Sequence, residues 1–371
     1  MSLPEKNPEA IAEILINNEK LSDEIISLDI NKFSINIRSN SSELLDWCRH
    51  YFSYVVQANE IDTANIEIVV IERQPLVLDI EFQPWIRHDT NKTSKDAIYD
   101  LPGARIIKKV RTGMIFLQSR SHIVAAGECL KYKNQIINFI NSQYMNYIQN
   151  HHGVICHAAG LLVKDHEKEQ VLGMAGFSGG GKSTLMLHML NQPNSRFLSN
   201  DRLFLIKSDH STTAVGIPKL PRVNPGTILH NPKLQELISE ERRHELFQLP
   251  QKELWNLEEK FDVIVDEVYG PDKIQYQGDI KHFIVLNWSH DSKDKIKLEK
   301  INLSQRKDLL AAIMKSSGPF YQYENGDFYQ NLTPFDEQSY LDVFANINVY
   351  EVSGQIDFQA LSQLCFQELL S

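Results

Sequence analysis

The sequence predicts an α/β protein built around a phosphate-binding loop. Residues 176–183 fit the pattern G-x-x-x-x-G-K-[S/T] at every fixed position. An apolar run suited to a buried strand precedes the loop at 171–175, and a segment of helical character follows at 184–190. Strand, glycine-rich loop and helix are the context in which this pattern binds phosphate groups.

The composition narrows the class of protein. The chain has 371 residues, 42% hydrophobic and 23% charged, which is long enough for two domains. Its net charge of −10, with no basic stripe, argues against a nucleic-acid partner. Residues 1–30 are polar and charged, unlike a signal peptide, and no apolar run reaches membrane-spanning length. Four scattered cysteines without a C-x-x-C pair suit reduced thiols. We therefore expect a cytoplasmic protein without a membrane partner.

Residues 1–150 predict a mixed α/β module. Phe33, Ile35 and Ile37 alternate with polar residues as in a half-buried strand, and Thr112 with Gly113 suits a hairpin turn. From the N-terminus we expect a charged helical lead-in over 1–30, a strand at 33–37, a helix over 44–55, a strand at 66–71, a loop-rich stretch over 80–104, hairpin strands at 105–110 and 114–118, a strand at 122–126 and a helix over 136–148.

Residues 151–371 carry the loop and predict a second domain. In this region we expect a strand at 196–199, an apolar strand at 261–265, a helix near 304–313, a strand at 349–352 and a final helix from 358.

The residue types of the loop suit the phosphates of ATP. Glycines let the backbone curl so that successive N–H groups point at phosphate oxygens, and the helix N-terminus adds partial positive charge. Lys182 would reach the β- and γ-phosphates, and Ser183 would give its hydroxyl to Mg²⁺. The predicted nucleotide-binding residues of this segment are Gly176, Phe177, Ser178, Gly179, Gly180, Gly181, Lys182, Ser183 and Thr184.

Phosphoryl transfer also requires a carboxylate that positions or deprotonates the acceptor hydroxyl. One candidate is Asp201, which follows the strand predicted at 196–199. In a parallel sheet the end of that strand lies beside the loop. The other candidate is the pair Asp266 and Glu267, which ends the apolar run 261–265 as carboxylates do in some ATPases. An aspartate that starts a turn and an amphipathic run produce the same patterns.

Three segments resemble the HPr kinase/phosphorylase superfamily. They are a strand with a histidine before the loop (residues 156–163), the loop itself, and an acidic residue after the loop helix (residues 199–202). Residues 216–227 and 254–262 look like the subgroup called HPr kinase-related kinase B. The resemblance implies a P-loop kinase core of the HPr kinase/PEP carboxykinase type over 151–371, with a C-terminal extension. It also implies self-association, because members of the superfamily assemble into hexamers.

The resemblance implies roles for individual residues. Lys182 and Ser183 match the phosphate-binding lysine and the magnesium-binding serine. Asp201 matches the aspartate that accepts the proton of the substrate hydroxyl, and would also join Ser183 at the metal. His157 matches the active-site histidine, although the residues alone favour a core histidine.

The chain departs from the family pattern near the metal. Asn200 stands where the family has a first aspartate, and Thr184 stands where a glutamate usually follows the serine. Lys219 and Arg222 lie on a proline-rich loop, either as a clamp for an anion or as surface charge. Arg222 is included among the predicted nucleotide-binding residues.

The sequence therefore predicts an ATP- and Mg²⁺-dependent kinase. Asp201, His157 and Lys182 are the predicted catalytic residues, and the acceptor is a hydroxyl of a protein serine or of a small metabolite. Two alternatives remain. One is an ATPase or nucleotide-dependent switch that uses Asp266 and Glu267, and the other is a binding module without catalysis.

Overall fold

In the computed structural model the chain separates into two units, each with its own core. One unit comprises Met1–His151 with Ser316–Phe335, and the other comprises His152–Lys315 with Asp336–Ser371. The structure describes residues 7–86, 94–165, 168–177, 179–250, 253–254, 257, 259–289 and 291–370. Among these residues, no helix combines the length and the apolar character needed to cross a lipid bilayer.

The first unit is a mixed sheet with three helices among its described residues. Asn7 and Ser41 cap α1 and α2 by accepting hydrogen bonds from backbone N–H groups of the first turn. The strand order is β1-β2-β3-β8-β7-β6-β5-β4. The bounds are α1 Pro8–Ile16, β1 Ile26–Ile30, β2 Phe33–Ser39, α2 Ser42–Tyr51, β3 Ile66–Glu72, β4 Gln83–Pro84, β5 Asp96–Leu101, β6 Ala104–Lys109, β7 Ile115–Ser119, β8 Ile123–Gly127 and α3 Lys133–Asn150.

Most elements expected in this region are confirmed, including the hairpin whose strands meet at Lys108 and Ile115. Gly113 in its turn has φ +71°, a conformation that glycine adopts without strain. The expected loop over 80–104 is wrong in part, because β5 pairs with β6 along its length. Its side chains Ile98 and Leu101 are buried. Pro102 and Gly103 mark a tight turn between two strands rather than a long loop.

Residues 316–335 belong to the first unit, whereas the sequence placed them in the second domain. The reason is Arg105, whose side chain is fully buried and whose guanidinium donates to the carbonyls of Pro319 and Tyr329 at 3.0 and 2.9 Å. It also forms an ion pair with Asp100 and lies 4.6 Å from the ring centroid of Phe328. A buried cation needs such partners, and three of the four come from this distant segment.

The second unit carries the glycine-rich loop. Its elements are β9 Val154–Cys156, β10 Ala158–Asp165, β11 Lys168–Gly176, α4 Lys182–Met189, β12 Ser195–Ser199, β13 Leu203–Lys207, β14 Thr212–Val215, β15 Arg222–Val223, α5 Pro225–Leu229, a 3-10 helix Pro232–Leu237, α6 Glu240–Phe247, β16 Phe261–Asp262, α7 Val265–Tyr269, β17 Gln277–Leu286, β18 Lys297–Ile301, a 3-10 helix Leu303–Gln305, α8 Lys307–Ile313, α9 Glu337–Phe344, β19 Asn348–Ser353 and α10 Phe358–Glu368.

The main sheet of this unit is mixed rather than parallel, which corrects the expectation used to place Asp201. Its order is β12-β10-β11-β17-β14-β13-β9, with β19 beside β17 and β18 beside β19. β11 is parallel to β17, but β10 lies antiparallel between β11 and β12. Strands β11 and β12 therefore still point the same way, and both end at one edge.

Strand β17 is long enough to join two parts of the sheet. Its first residues pair with β14 and its later residues pair with β11. The two parts share a core that includes Leu162, Val171, Leu205 and Phe283. Gly173 permits this packing, because a Cβ there would lie 2.3 Å from the ring of Phe283. The core holds the edge that carries the functional side chains.

Candidate functional site

The glycine-rich loop joins the end of β11 to the start of α4. Gly179 and Gly181 have φ of +80° and +85°, which favours glycine at both positions. The N–H of Gly180 donates to the Phe177 carbonyl at 2.9 Å, and a Cβ on Gly180 would lie 2.9 Å from that oxygen. Ser178 lies outside the described residues. The described glycines form a tight turn between β11 and α4.

Two aromatic residues that the sequence analysis did not assign to the site hold the loop in place. The indole N–H of Trp288 donates to the Gly180 carbonyl at 2.9 Å. The ring of Phe358 packs so close to Gly181 that a Cβ there would lie 2.7 Å from it. The two rings meet edge to face with centroids 5.2 Å apart. Trp288 follows β17 and Phe358 begins α10, and no local pattern marks either one as a loop contact.

Lys182 is the first residue of α4 and connects the loop to the neighbouring strands. Its Nζ donates to the Gly176 carbonyl at 3.1 Å and lies 3.3 Å from His157 Nε2. Burial lowers the pKa of Lys182 to about 8, against the opposing charge of Asp201. An anion bound at the loop would raise the pKa of Lys182 again and favour its charged form.

His157, Asp201 and Lys315 form a connected polar group. His157 Nε2 lies 3.2 Å from Asp201 Oδ1, and Lys315 Nζ lies 3.1 Å from Asp201 Oδ2. Since Lys182 is also near His157 Nε2, that nitrogen either donates to Asp201 or accepts from Lys182, as its tautomer decides. The group thus links the loop lysine to the carboxylate through one imidazole.

The charges of this group set its protonation states. Burial tends to raise the pKa of Asp201, but Lys315 and the hydrogen bond from His157 outweigh it and hold that pKa well below its usual range. The hydrogen bond to Asp201 tends to raise the pKa of His157, but burial and the charges of Lys315 and Lys182 lower it overall. The site therefore combines an ionised carboxylate with a neutral imidazole at neutral pH.

Sheet geometry brings His157 and Asp201 together. His157 connects β9 to β10, and Asp201 connects β12 to β13. Cys156 at the end of β9 pairs with Leu203 at the start of β13, so the two connections cross the same edge. The end of β11, which leads into the loop, pairs with the start of β10 at this edge.

Lys315 reaches the same edge from the end of α8, a segment to which the sequence assigned no functional role. Residue Met314 forms a bridge with Cys156, and the N–H of His157 donates to the Ile313 carbonyl at 2.7 Å. These contacts place the end of α8 beside β9. Lys315 follows an ordinary helix 114 residues after its partner Asp201, so only the fold pairs them.

A cavity of about 440 Å³ opens beside the loop. It is polar and cationic where it meets the loop, and it has an apolar part as well. Its lining includes Gly179, Gly180, Gly181, Lys182, Ser183, Thr184, Arg222, Val223, Asn224, Thr227, His230, Leu254, Lys260, Ile356 and Phe358. This volume lies within the range of about 300–1,000 Å³ typical of small-molecule sites.

Four of the polar side chains that line the cavity beyond the loop itself are Thr184, Arg222, Asn224 and Thr227. Arg222 lies 2.8 Å from Asp262 through its Nε. Thr184 shares a hydrogen bond of 2.7 Å with Thr227, which ties α4 to α5. The amide oxygen of Asn224 is buried, and no described residue donates to it. A bound molecule with a donor group could therefore satisfy Asn224.

Ser183 and Asp201 suit a magnesium ion that arrives with a nucleotide. Ser183 lines the cavity, and Asp201 is ionised. Nucleotide-bound Mg²⁺ takes few protein ligands and completes its shell with phosphate oxygens and water. A hydroxyl and a carboxylate are therefore a fitting donor set. Among the described residues, no group of three or more His, Cys, Asp or Glu is placed to hold a metal.

The strand expected at 261–265 is wrong beyond its first two residues. β16 ends at Asp262, which pairs with Arg222 of β15 outside the main sheet. The helix α7 then begins at Val265, so Asp266 and Glu267 lie in its first turn. Neither residue is among the described residues that line the cavity. The geometry that an ATPase would need at these carboxylates is therefore absent from the described site.

No protein-family model matches the chain. No curated protein matches it in sequence. Among solved structures, the chain is similar to the HPr(Ser) kinase/phosphatase from Coxiella burnetii, with 12% sequence identity over 58% of this chain and 96% of that chain, and a TM-score of 0.28. A likeness with so low a TM-score carries no argument about fold or function.

Proposed function

We propose that this protein is a kinase that transfers the γ-phosphoryl group of ATP to a hydroxyl group. The observation that carries the proposal is the contact chain from Lys182 through His157 to Asp201, with separations of 3.3 and 3.2 Å. It joins a phosphate-binding lysine to an ionised carboxylate, and these are the two functions that phosphoryl transfer requires of side chains.

The cavity beside the loop supports a nucleotide rather than a bare phosphate. Lys182 and Arg222 supply positive charge for a phosphate chain, and Leu254 and Phe358 supply apolar surface for a base. Asn224 has a buried amide oxygen that an adenine amine or a ribose hydroxyl could satisfy. Leaving such an oxygen unpaired costs about 1–3 kcal/mol, which a fitting ligand would recover.

In the proposed reaction the acceptor oxygen attacks the γ-phosphorus in line with the bond to the β–γ bridging oxygen. A bond forms between the acceptor oxygen and phosphorus, the bond to the bridging oxygen breaks, and ADP leaves. Asp201 accepts the proton of the acceptor hydroxyl. Because the transition state is loose and the proton leaves late, a carboxylate with a low pKa can serve, mainly by orienting the hydroxyl.

The other residues stabilise charge and position. The loop N–H groups and Lys182 would stabilise the charge on the transferred group and on the leaving oxygen. His157 contacts both Asp201 and Lys182, and would hold the two side chains in fixed positions relative to each other. Ser183 and Asp201 would hold Mg²⁺, which supplies further positive charge at the phosphates when it is bound.

Transfer of label from γ-labelled ATP tests the proposal. Wild type, Asp201→Asn and the control Asp209→Asn, an exposed aspartate between β13 and β14, are incubated with Mg²⁺ in a lysate of the source cell. We expect a labelled acceptor with wild type and with the control. We expect about 10²–10⁴-fold slower labelling with Asp201→Asn, since a positioned base contributes that much.

Phosphate release that Asp201→Asn leaves unchanged, with no labelled acceptor, would contradict the kinase. Nucleotide binding without turnover in any variant would point to a binding module instead.

A further inference from the structure

Three further cations meet Asp201 at the edge that carries the candidate site. Arg202 follows Asp201 directly, and Lys315 is bound to it. Lys219 comes from the chain after β14, whose last residue Val215 pairs with Phe204 of β13. The end of β14 therefore lies beside the start of β13, where Asp201 and Arg202 stand.

A tight turn fixes the position of Lys219. Gly216 follows β14 and packs so closely on the end of β12 that a Cβ would lie 1.9 Å from the Leu198 carbonyl oxygen. Ile217 and Leu220 are buried, and the N–H of Lys219 donates to the Ile217 carbonyl at 2.7 Å. The backbone of Lys219 is therefore held at this edge by packing on both sides.

The edge has an excess of positive charge. Lys182, Arg202, Lys219 and Lys315 lie near Asp201, and Asp262, the ion-pair partner of Arg222, is a second carboxylate near Lys219. The cations outnumber these two carboxylates, although the whole chain has a net charge of −10. Burial and the charge of Arg202 lower the pKa of Lys219 to about 7, against the opposing effect of Asp201. Cations gathered in this way favour an anion among them.

A nucleotide in the cavity accounts for only part of this charge. Lys182 and Arg222 line the cavity, but Arg202, Lys219 and Lys315 are not among its described lining residues. They lie on the Asp201 side, where the acceptor of the proposed transfer must approach. Their charge is therefore placed to meet the acceptor, and Lys219 lies between this side and Arg222 of the cavity.

We propose that Arg202, Lys219 and Lys315 bind an anionic group of the acceptor, a phosphate or a carboxylate, and so hold its hydroxyl at Asp201. This inference rests on the proposed kinase function. It favours a small acidic metabolite over an uncharged alcohol or an unmodified serine side chain. An anion at Lys315 would share the ammonium with Asp201, which leaves the carboxylate oriented toward the bound hydroxyl.

Binding of inorganic phosphate to protein saturated with Mg²⁺ and a non-hydrolysable ATP analogue tests the site, because the loop is then filled. Calorimetry should show one phosphate per wild-type chain. Lys219→Met and Lys315→Met should each weaken its binding about tenfold or more, since a charged hydrogen bond contributes about 1.5–3 kcal/mol. Lys207→Met, at the far end of β13 and exposed, should bind like wild type.

Acetate titrated in the same way distinguishes the two sources of the anion. Tighter binding of phosphate assigns the site to phosphorylated acceptors, and tighter binding of acetate assigns it to carboxylates. Lys315→Met could unfold because it leaves Asp201 without its ammonium, so circular dichroism accompanies each titration. Lys219→Met, which breaks no described ion pair, keeps the test decisive.

Two results would overturn the anion site: no phosphate binding to wild type whose loop is filled, or equal binding by wild type, Lys219→Met and Lys315→Met. Failure of the ATP analogue to bind would instead contradict the kinase. In that case phosphate is titrated into Lys182→Met, whose loop lacks its lysine, and the comparison with Lys182→Met/Lys219→Met still decides the anion site.

Discussion

The carboxylate of Asp201 stays ionised because a lysine and a hydrogen-bonding histidine contact it. Lys315 contacts one oxygen at 3.1 Å, and His157 lies 3.2 Å from the other. Together they hold the pKa of Asp201 well below its usual range despite burial. An ionised carboxylate can accept a hydrogen bond from an acceptor hydroxyl throughout the neutral pH range, as the proposed reaction requires.

The lowered pKa of Lys219 predicts how the free energy of unfolding changes with pH. Its pKa is about 7 in the folded chain and near 10.5 in an unfolded one, so the unfolded state binds the extra proton between these values. Wild type therefore loses stability as pH falls from about 10.5 to about 7, and the loss is complete below that. Lys219→Met has no titratable group at this position, so this loss of stability at low pH is absent from the variant.

Urea unfolding at several pH values measures the difference. The stability gained by Lys219→Met should be largest below pH 7 and should shrink as pH rises toward 10. Lys207→Met, an exposed lysine, should show a difference that does not change with pH. A gain that is constant or grows with pH would contradict the assigned environment of Lys219.

At the level of the elements, the sequence was sufficient where the signal was local. The strand before the loop, the loop pattern, the helix after it and the hairpin around Gly113 all depend on neighbouring residues, and the structure contains each of them. The strand expected at 261–265 is wrong beyond Asp262, because a short apolar run fits two residues of strand followed by a helix equally well. Periodicity alone does not separate these two structures.

The close contact between Gly181 and Phe358 predicts that an added methyl group at Gly181 weakens nucleotide binding. Gly181→Ala puts a Cβ 2.7 Å from Phe358 at a residue with φ +85°, so the loop must shift away from its phosphate-binding shape. We expect the affinity for Mg·ATP to fall about tenfold or more in calorimetric titration. Gly270→Ala is the matched control, because φ is +96° there and no atom lies within 4 Å of the new Cβ.

Both alanine variants should lose some stability from backbone strain, about 1–3 kcal/mol each. Nucleotide affinity should separate them. Equal affinity of Gly181→Ala and wild type would show that the contact between the loop and Phe358 does not shape the binding site.

At the level of the whole molecule, the sequence missed contacts between residues that are far apart in the chain. Lys315 and Trp288 reach the site from segments with no functional pattern of their own. Residues 316–335 join the first unit because the buried Arg105 needs their carbonyl groups. A burial pattern shows that a residue is inside, but it does not show which distant group will satisfy it.

Mixed sheet topology is the second feature that the sequence left open. The placement of Asp201 beside the loop was expected from a parallel sheet, and the structure achieves it with β10 antiparallel between β11 and β12. Because β10 is antiparallel to both of its neighbours, β11 and β12 run in the same direction. Asp201 therefore reaches the predicted edge through a different arrangement of strands.

Calorimetric titration of Mg·ATP shows whether the loop at 176–183 binds the phosphates of a nucleotide. We expect one nucleotide per chain for wild type and for Lys207→Met. Binding should be about tenfold weaker or more for Lys182→Met, which loses a charged contact to the phosphates. No binding by wild type, or equal binding by wild type and Lys182→Met, would contradict phosphate binding by this loop.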